Sequence, residues 1–250
     1  MEAYTDFADV YDTFMDETPY EEWCEFLVGI LGEYKVPKGL VLDLGCGTGT
    51  LTEMLSKEGY DMIGVDNSEQ MLAIAMEKRE ISGENILYLL QDMREFELYG
   101  TVGAVISVCD SLNYLLEEED LVQTFRLVNN YLDPKGIFIF DFNTVYKYQE
   151  VIGDSTIAEN REDCSFIWEN YYHEEEEINE YDLTIFVKEE DERFRKFEEN
   201  HYQRGYRLAQ MKQSLKKAGM EFVKAIDADT HEAVTETSER IYCIAREQGK

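Results

Sequence analysis

The run Val41-Leu42-Asp43-Leu44-Gly45-Cys46-Gly47-Thr48-Gly49-Thr50 sets three glycines where an apolar stretch gives way to a helical pattern. Glycine at such a turn lets the backbone bend sharply and lets a ligand approach the peptide groups without meeting a Cβ. A G-x-G-x-x-G dinucleotide fingerprint would need glycine where the chain has Thr50, and a P-loop would need a Lys-Ser/Thr pair after the glycines, which is missing. What remains is a nucleoside-type ligand at the carboxyl ends of the first strands, its negative group near a helix N-terminus. Asp66, 23 residues after Asp43, stands where an acidic residue accepts both ribose hydroxyls. Asp92, in Gln91-Asp92-Met93, is placed to accept an adenine amino group, and Asp110, in Cys109-Asp110-Ser111-Leu112-Asn113-Tyr114, falls where the reacting end of the ligand would lie. Each carboxylate taken singly also reads as a cap or turn residue. Their order behind one glycine turn is what makes them a site.

The elements that must carry these residues alternate. Trp23, Phe26, Leu27, Ile30, Leu31 and Tyr34 recur with helical spacing, and Pro37 and Gly39 end that helix. Strands are expected at Leu40 to Leu44, Met62 to Val65, Ile86 to Leu90, Val102 to Val108 and Ile137 to Phe142, the last after a Pro134/Gly136 turn. Helices fall between them: Leu51 to Glu58, one capped by Ser68 with Met71, Leu72 and Ala75 on one side, and one carrying Leu121, Phe125 and Val128. This alternation predicts an α/β fold with a doubly wound, Rossmann-like parallel sheet. From Phe166 to Arg204 the pattern changes to strand-like alternation, broken by acidic runs at Glu174 to Glu177 and Glu189 to Glu192 that read as solvated turns. A three-stranded antiparallel insert over 145–204 is expected, between an α/β domain formed by 1–144 and 205–250. A helix with Leu208, Met211 and Leu215, and strands near Phe222 to Ile226 and Ile241 to Ala245, complete that domain.

Lys and Arg number 23 against 54 Asp and Glu, a formal charge of −31 over 250 residues. A chain this acidic repels polyanions over most of its surface, which argues against general nucleic-acid binding and against docking on anionic lipid. With 44% hydrophobic and 13% aromatic residues it nevertheless has the material for a core. No stretch approaches a membrane span, and the start lacks the basic and apolar segments of a signal peptide, so a cytoplasmic location is expected, as a monomer or a small oligomer such as a homodimer. The five cysteines are scattered and the three histidines equally so, which fits reduced thiols and no local metal site.

Leu42 to Gly49, Gly64-Val65-Asp66 with Ser68 and Met71-Leu72, Gln91-Asp92-Met93, and Leu132-Asp133-Pro134-Lys135-Gly136 resemble the ordered motifs of class I S-adenosylmethionine (SAM)-dependent methyltransferases. The start, Tyr4-x-x-Phe7-Ala8-x-x-Tyr11-Asp12, and the later insert are similar to a bacterial small-molecule subgroup, mostly of unassigned substrate, related to aminosugar N-methyltransferases and more distantly to glycine N-methyltransferase. The resemblance implies SAM as cofactor and S-adenosylhomocysteine (SAH) as product. It assigns Asp43, Gly45, Cys46, Gly47, Gly49, Asp66, Asn67, Met71, Asp92, Met93, Cys109 and Asp110 to the cofactor, and Tyr11 to a position beside the transferring methyl. Tyr11 reads equally as a staple that packs the N-terminal arm.

Methyl transfer from a sulfonium is an in-line displacement with an already activated donor, so positioning, worth up to about 7–11 kcal/mol, needs neither metal nor covalent nucleophile. Tyr11, Tyr114 and Trp168 are aromatic candidates for cation–π contact near the sulfonium, Tyr114 and Trp168 as part of the acceptor pocket. An amine acceptor must be neutral when it attacks, which gives a proton acceptor a use. His201, alternating with Glu199 and Gln203 on a strand expected to roof the pocket, is the candidate, against the plainer reading of a sheet histidine bonded to a neighbour. Cys46 and Cys109 read as small space-fillers. The expected function is methylation of a small molecule, an amine among the choices. The rivals are a tRNA or protein methyltransferase, for which Arg204, Arg207, Lys212, Lys216 and Lys217 form a basic cluster, and a non-catalytic SAM-binding module.

Overall fold

The computed structural model describes residues 7–189 and 192–250, with Asp9 by its backbone alone; Tyr4 of the N-terminal motif and Glu190 and Asp191 of the second acidic run lie outside the described residues. Seven strands form the central sheet in the order β10-β11-β5-β4-β1-β2-β3, where β1 is Leu40–Leu44, β2 Asp61–Asp66, β3 Leu87–Leu90, β4 Val102–Ser107, β5 Leu132–Asn143, β10 Glu221–Asp227 and β11 Arg240–Arg246. The first five run parallel, and β11 is antiparallel to both β5 and β10. The strand order reverses between β1 and β4, which is the place where open α/β sheets bind ligands.

Period-two alternation divides each inner strand between two cores. Leu42, Val105, Phe138 and Phe140 pack on one face with Leu121, Phe125 and Val128 of α5 (Glu118–Tyr131) and Met211 and Leu215 of α6 (Leu208–Lys217). Val41, Ala104, Ile106, Ile137 and Ile139 pack on the other, with α2 (Tyr20–Glu33), α3 (Thr50–Lys57) and α4 (Glu69–Ser82). Ser68 caps α4 as expected, its hydroxyl accepting the Met71 N–H at 3.2 Å. The Pro134/Gly136 turn is a bulge near the start of β5: Val102 pairs with Leu132, and Ala104 pairs with Ile137.

The insert has four strands where three were expected: β6 (Thr156–Asn160), β7 (Cys164–His173), β8 (Ile178–Lys188) and β9 (Phe194–Arg204), in that order as an antiparallel meander. The additional strand is a short, mostly exposed edge whose Thr-Ile-Ala-Glu-Asn sequence carries no alternating apolar face to announce it. A turn of π-helix, Lys147–Ile152, leads from β5 into the insert, and Thr144 and Tyr206 bridge side by side where the chain leaves and returns. A short helix α1 (Ala8–Phe14) precedes α2, in a stretch read from sequence only as polar.

Candidate active site

The glycine turn hangs on β2. The N–H groups of Gly45 and Cys46 donate to the Val65 carbonyl at 2.7 and 3.0 Å, and Gly47 N–H donates to Asp66 Oδ2 at 2.8 Å. Asp66 Oδ1 accepts the Ser68 N–H at 2.9 Å, so one carboxylate fixes both the turn and the start of α4. Burial pushes its carboxyl above the usual range, against the pull of these N–H groups. Gly45 has φ +83°, and a Cβ there would stand 2.7 Å from the Ser111 side chain; Gly49, at φ +73°, lies beneath the Tyr88 hydroxyl. Neither position tolerates a side chain. Asp43 is buried under the turn, accepts the Thr52 hydroxyl at 2.6 Å, and is pushed up to about 6 by loss of solvent.

Across the switch point, β4 ends in two consecutive left-handed residues, Cys109 at φ 60° and Asp110 at φ 54°. Both are non-glycine, so the conformation carries strain that something must hold. The holder is Asp141 of β5: its Oδ2 accepts the Cys109 N–H at 3.1 Å and its Oδ1 the Asp110 N–H at 2.9 Å. Arg240 lies 3.6 Å from the same carboxylate and 4.5 Å from the Trp23 ring centroid. Desolvation raises Asp141 to about 6, with Arg240 opposing. Sequence reasoning missed Asp141, though a carboxylate inside the apolar run Phe138 to Phe142 has to have a partner and was the available signal.

Between these two edges lies a cavity of about 240 Å³. Asp43, Gly45, Cys46, Gly47, Asp66, Asn67, Met71, Asp92, Met93 and Cys109 line it, together with Tyr11 and Tyr114. Burial holds the Cys46 and Cys109 thiols protonated, well above their ordinary range. The other expected residues lie off the wall. Gly49 caps α3. The Asp110 carboxylate meets Gln203 Nε2 at 2.6 Å, and burial raises it while the charge of Lys147 pulls it down. Trp168 packs on Tyr181 with centroids 4.8 Å apart, and His201 lies behind Tyr114, its Nδ1 3.1 Å from the Tyr114 hydroxyl. Asp92 reaches the cavity with both oxygens held by Arg94, whose Nε and Nη2 come within 2.9 and 2.6 Å and whose Nη1 extends to Asp120 at 3.2 Å. This clamp keeps Asp92 below the usual carboxylate range.

Two residues to which the sequence reading gave no role, Asp12 and Asn113, fix the elements around the cavity. Helix α1 brings Tyr11 over the cavity and is pinned by Asp12, which meets Lys78 at 2.5 Å and the Thr48 hydroxyl at 2.7 Å. Asn113, fully buried, docks the insert: its Nδ2 donates to the carbonyls of Asn143 and Arg204 at 2.9 and 2.6 Å, and its Oδ1 accepts the Asn143 N–H at 2.9 Å.

Residues 41–136 match the family model of the methyltransferase domain. A Geobacillus protein (strain WCH70) is 38% identical over 98% of this chain and 99% of its own length, and YqeM of Bacillus subtilis (strain 168) is 37% identical over 97% and 96%; both carry provisional methyltransferase names. The crystal structure of an S-adenosylmethionine-dependent methyltransferase from Clostridium acetobutylicum is 28% identical, covers 99% of this chain and 100% of that one, and superposes with a TM-score of 0.89. The chain belongs to the S-adenosylmethionine-dependent methyltransferases. A sugar N-methyltransferase, KedS8 from Streptoalloteichus, shares the methyltransferase's fold with a TM-score of 0.77 at 18% identity, over 99% of this chain and 97% of its own.

The cavity walls fit SAM. Each Asp66 oxygen spends one lone pair on a backbone N–H and keeps acceptor capacity for a hydroxyl, and the thioethers of Met71 and Met93 give apolar surface for a base. When bound, the cofactor supplies an activated methyl on a positively charged sulfur. The methyltransferase's own residues must bind it, orient an acceptor and keep that acceptor's lone pair free.

Proposed function

We propose that this methyltransferase acts on a small-molecule amine held between the cofactor cavity and the antiparallel insert. One observation carries the reading: Tyr114 lines the cavity, and its hydroxyl is bonded to His201 on β9, so the cavity adjoins the insert at a side chain able to take a proton. The single Lys or Arg on the described cavity wall is Arg94, which is tied to Asp92 and Asp120. A phosphorylated acceptor would find no free cation there, whereas an ammonium group is favoured by the field of a chain with net charge −31. The naming of KedS8 as a sugar N-methyltransferase points the same way. Four of the five basic residues that could favour RNA are engaged internally: Arg204 with the Leu116 carbonyl, Arg207 with Glu177, Lys212 over the Phe222 ring and Lys217 with Glu118.

In this reading Asp66 holds the ribose, Asp92 and Met93 meet the adenine, Gly45 to Gly47 and the backbone at Cys109 receive the methionine part, and Tyr11 lies against the sulfonium, where an aromatic face adds about 0.5–2 kcal/mol. The test is incubation with methyl-labelled SAM and a fractionated metabolite extract, alongside bulk tRNA and protein. Label in the cationic small-molecule fraction is expected. Label confined to RNA, protein or phosphorylated compounds would overturn the proposal.

A further inference from the structure

A buried chain of hydrogen-bonding side chains leads out of the acceptor end of the cavity. Tyr114 lines the cavity from the 3-10 turn Ser111–Tyr114, and its hydroxyl is 3.1 Å from His201 Nδ1. His201 Nε2 is 3.1 Å from Glu199 Oε2, and Glu199 Oε1 accepts the Phe7 N–H at 2.9 Å. The His201 and Glu199 side chains are 1% and 4% exposed. We propose that Tyr114 is the catalytic group that takes the proton from the acceptor's nitrogen, with His201 and Glu199 as the positioning pair that receives and balances it. This rests on the amine reading above.

The proton directions follow from the donor and acceptor inventory. A carboxylate only accepts, so the proton between His201 and Glu199 sits on Nε2, which leaves Nδ1 as a lone pair aimed at Tyr114. The Tyr114 O–H then donates to Nδ1, so a proton taken up by the phenolic oxygen from the cavity side can pass on to the imidazole. Two rings fix the imidazole. Tyr181 stacks on His201 with centroids 5.2 Å apart at 13°, and Trp168 backs Tyr181. The Tyr181 hydroxyl is also 3.1 Å from that of Tyr114. The titratable groups that face His201 include Glu199 from its own strand, Tyr181 from β8 and Tyr114 from the 3-10 turn.

His201 is 2% exposed and off the cavity wall, so it cannot reach an acceptor itself. A base there has to act through Tyr114. The transfer balances as follows: an acceptor N–H proton moves to the Tyr114 oxygen as the Tyr114 proton moves to His201 Nδ1, and the nitrogen is left with its lone pair. That lone pair forms the new N–C bond while the C–S bond breaks and its electrons go to sulfur. The imidazolium left behind is paired with the Glu199 carboxylate, without which a buried charge of this kind would be prohibitive. An aliphatic amine with a lysine-like pKa of about 10 reaches the site as an ammonium at neutral pH, so a proton must leave before attack. The contact from Glu199 to the Phe7 N–H joins the relay to the segment that carries Tyr11, so the pair and the wall over the cavity are set together.

The chain contains three histidines, which makes ring-nitrogen NMR on ¹⁵N-histidine-labelled protein direct. With SAH bound, His201 is expected in the Nε2–H tautomer, with an Nδ1 resonance displaced by the hydrogen bond from Tyr114. In Tyr114→Phe that resonance should move while those of His173 and His231 stay, and in Glu199→Gln the preference for the Nε2–H tautomer should weaken. A proton on Nδ1, or an Nδ1 shift indifferent to Tyr114→Phe, would overturn the relay. A second arm uses labelled SAM with a panel of primary and secondary aliphatic amines. Tyr114→Phe should lose roughly 100-fold in rate at neutral pH, with the deficit narrowing at high pH as the amines arrive already neutral. A deficit constant across pH would assign Tyr114 to packing alone and also overturn the proposal. Absence of any amine product would remove the amine reading, while the NMR result would still decide the relay's geometry.

Discussion

The Asp141 carboxylate accepts the backbone N–H groups of Cys109 and Asp110 together, one on each oxygen, and so holds two successive left-handed residues at the end of β4. A single side chain on β5 thereby determines how the β4 exit presents its backbone to the cavity. Asp141→Asn keeps the shape but offers one accepting oxygen and turns an NH₂ group toward the second N–H, which is left buried and unpaired beside Arg240. A buried unsatisfied donor costs about 1–3 kcal/mol. SAH affinity measured by calorimetry should fall by about 10- to 100-fold, and an unchanged Kd would show that the β4 exit is set by other contacts.

Among the carboxyls raised by burial, Asp43 and Asp141 shift from 3.8 to about 6 in the folded chain. Between these limits the folded state binds protons that the unfolded state has released, so their effect is to lower stability as pH rises through about 4 to 6 and to leave it level above. The upper limit is roughly 3 kcal/mol per group for about two pKa units. Asp92 and Glu180, held low by Arg94 and His173, act in the opposite sense and lose their contribution below about 4. Thermal unfolding followed across pH should therefore show its highest Tm near pH 4, not at neutrality. Asp43→Asn should flatten the fall between about 4 and 6, and a Tm that climbs steadily to pH 7.5 in both proteins would refute the assignment.

Asp66 and Asp92 should respond differently although both lie on the cavity wall. Asp66 spends one lone pair per oxygen on the turn, and its removal frees the Gly47 and Ser68 N–H groups as well as any ribose contact, so Asp66→Ala should weaken SAM binding by about 1–3 kcal/mol. Asp92 is already clamped by Arg94, half-exposed, in a pair whose own worth is about 0–1 kcal/mol. If its carboxylate serves the adenine amino group, Arg94 competes for it, and Arg94→Ala should leave SAH affinity intact or tighten it a few-fold. A marked loss of affinity in Arg94→Ala would instead make the guanidinium itself part of the binding surface.

The strands, the glycine turn and the position of Asp66 were legible because parallel strands buried on both faces read as apolar runs and because glycine at a forced turn has no substitute. What escaped was whatever depends on partners distant in sequence. Asp141 meets Cys109 from 32 positions away, and Asn113 meets Arg204 from 91. Neither spacing has a local signature. Strand β6 escaped for a different reason: an edge strand lying mostly in solvent needs no apolar alternation to exist, only a neighbour to pair with. His201 was picked out for its titration range, but its distance from the cavity, one tyrosine removed, is a property of packing that periodicity does not encode.

Asn113 gives the most discriminating substitution. Its amide supplies two donated bonds and one accepted bond within a fully buried contact between the 3-10 turn, the end of β5 and the last residue of β9. Asn113→Ala removes all three, and although the Asn143 carbonyl keeps its bond from the Tyr206 N–H, the Arg204 carbonyl and the Asn143 N–H lose the amide, at a cost of about 2–4 kcal/mol for groups of this kind. Asn113→Asp is nearly the same shape yet should be worse, because the new carboxylate sets an oxygen against the Asn143 and Arg204 carbonyls while it remains buried. Urea unfolding should rank the stabilities as wild type, then Ala, then Asp, with the gap between the two variants closing at low pH, where the introduced carboxyl protonates and can donate one of the lost bonds. Equal stability of the Ala and Asp variants at neutral pH would mean that water reaches Asn113 and that the insert is held to the sheet elsewhere.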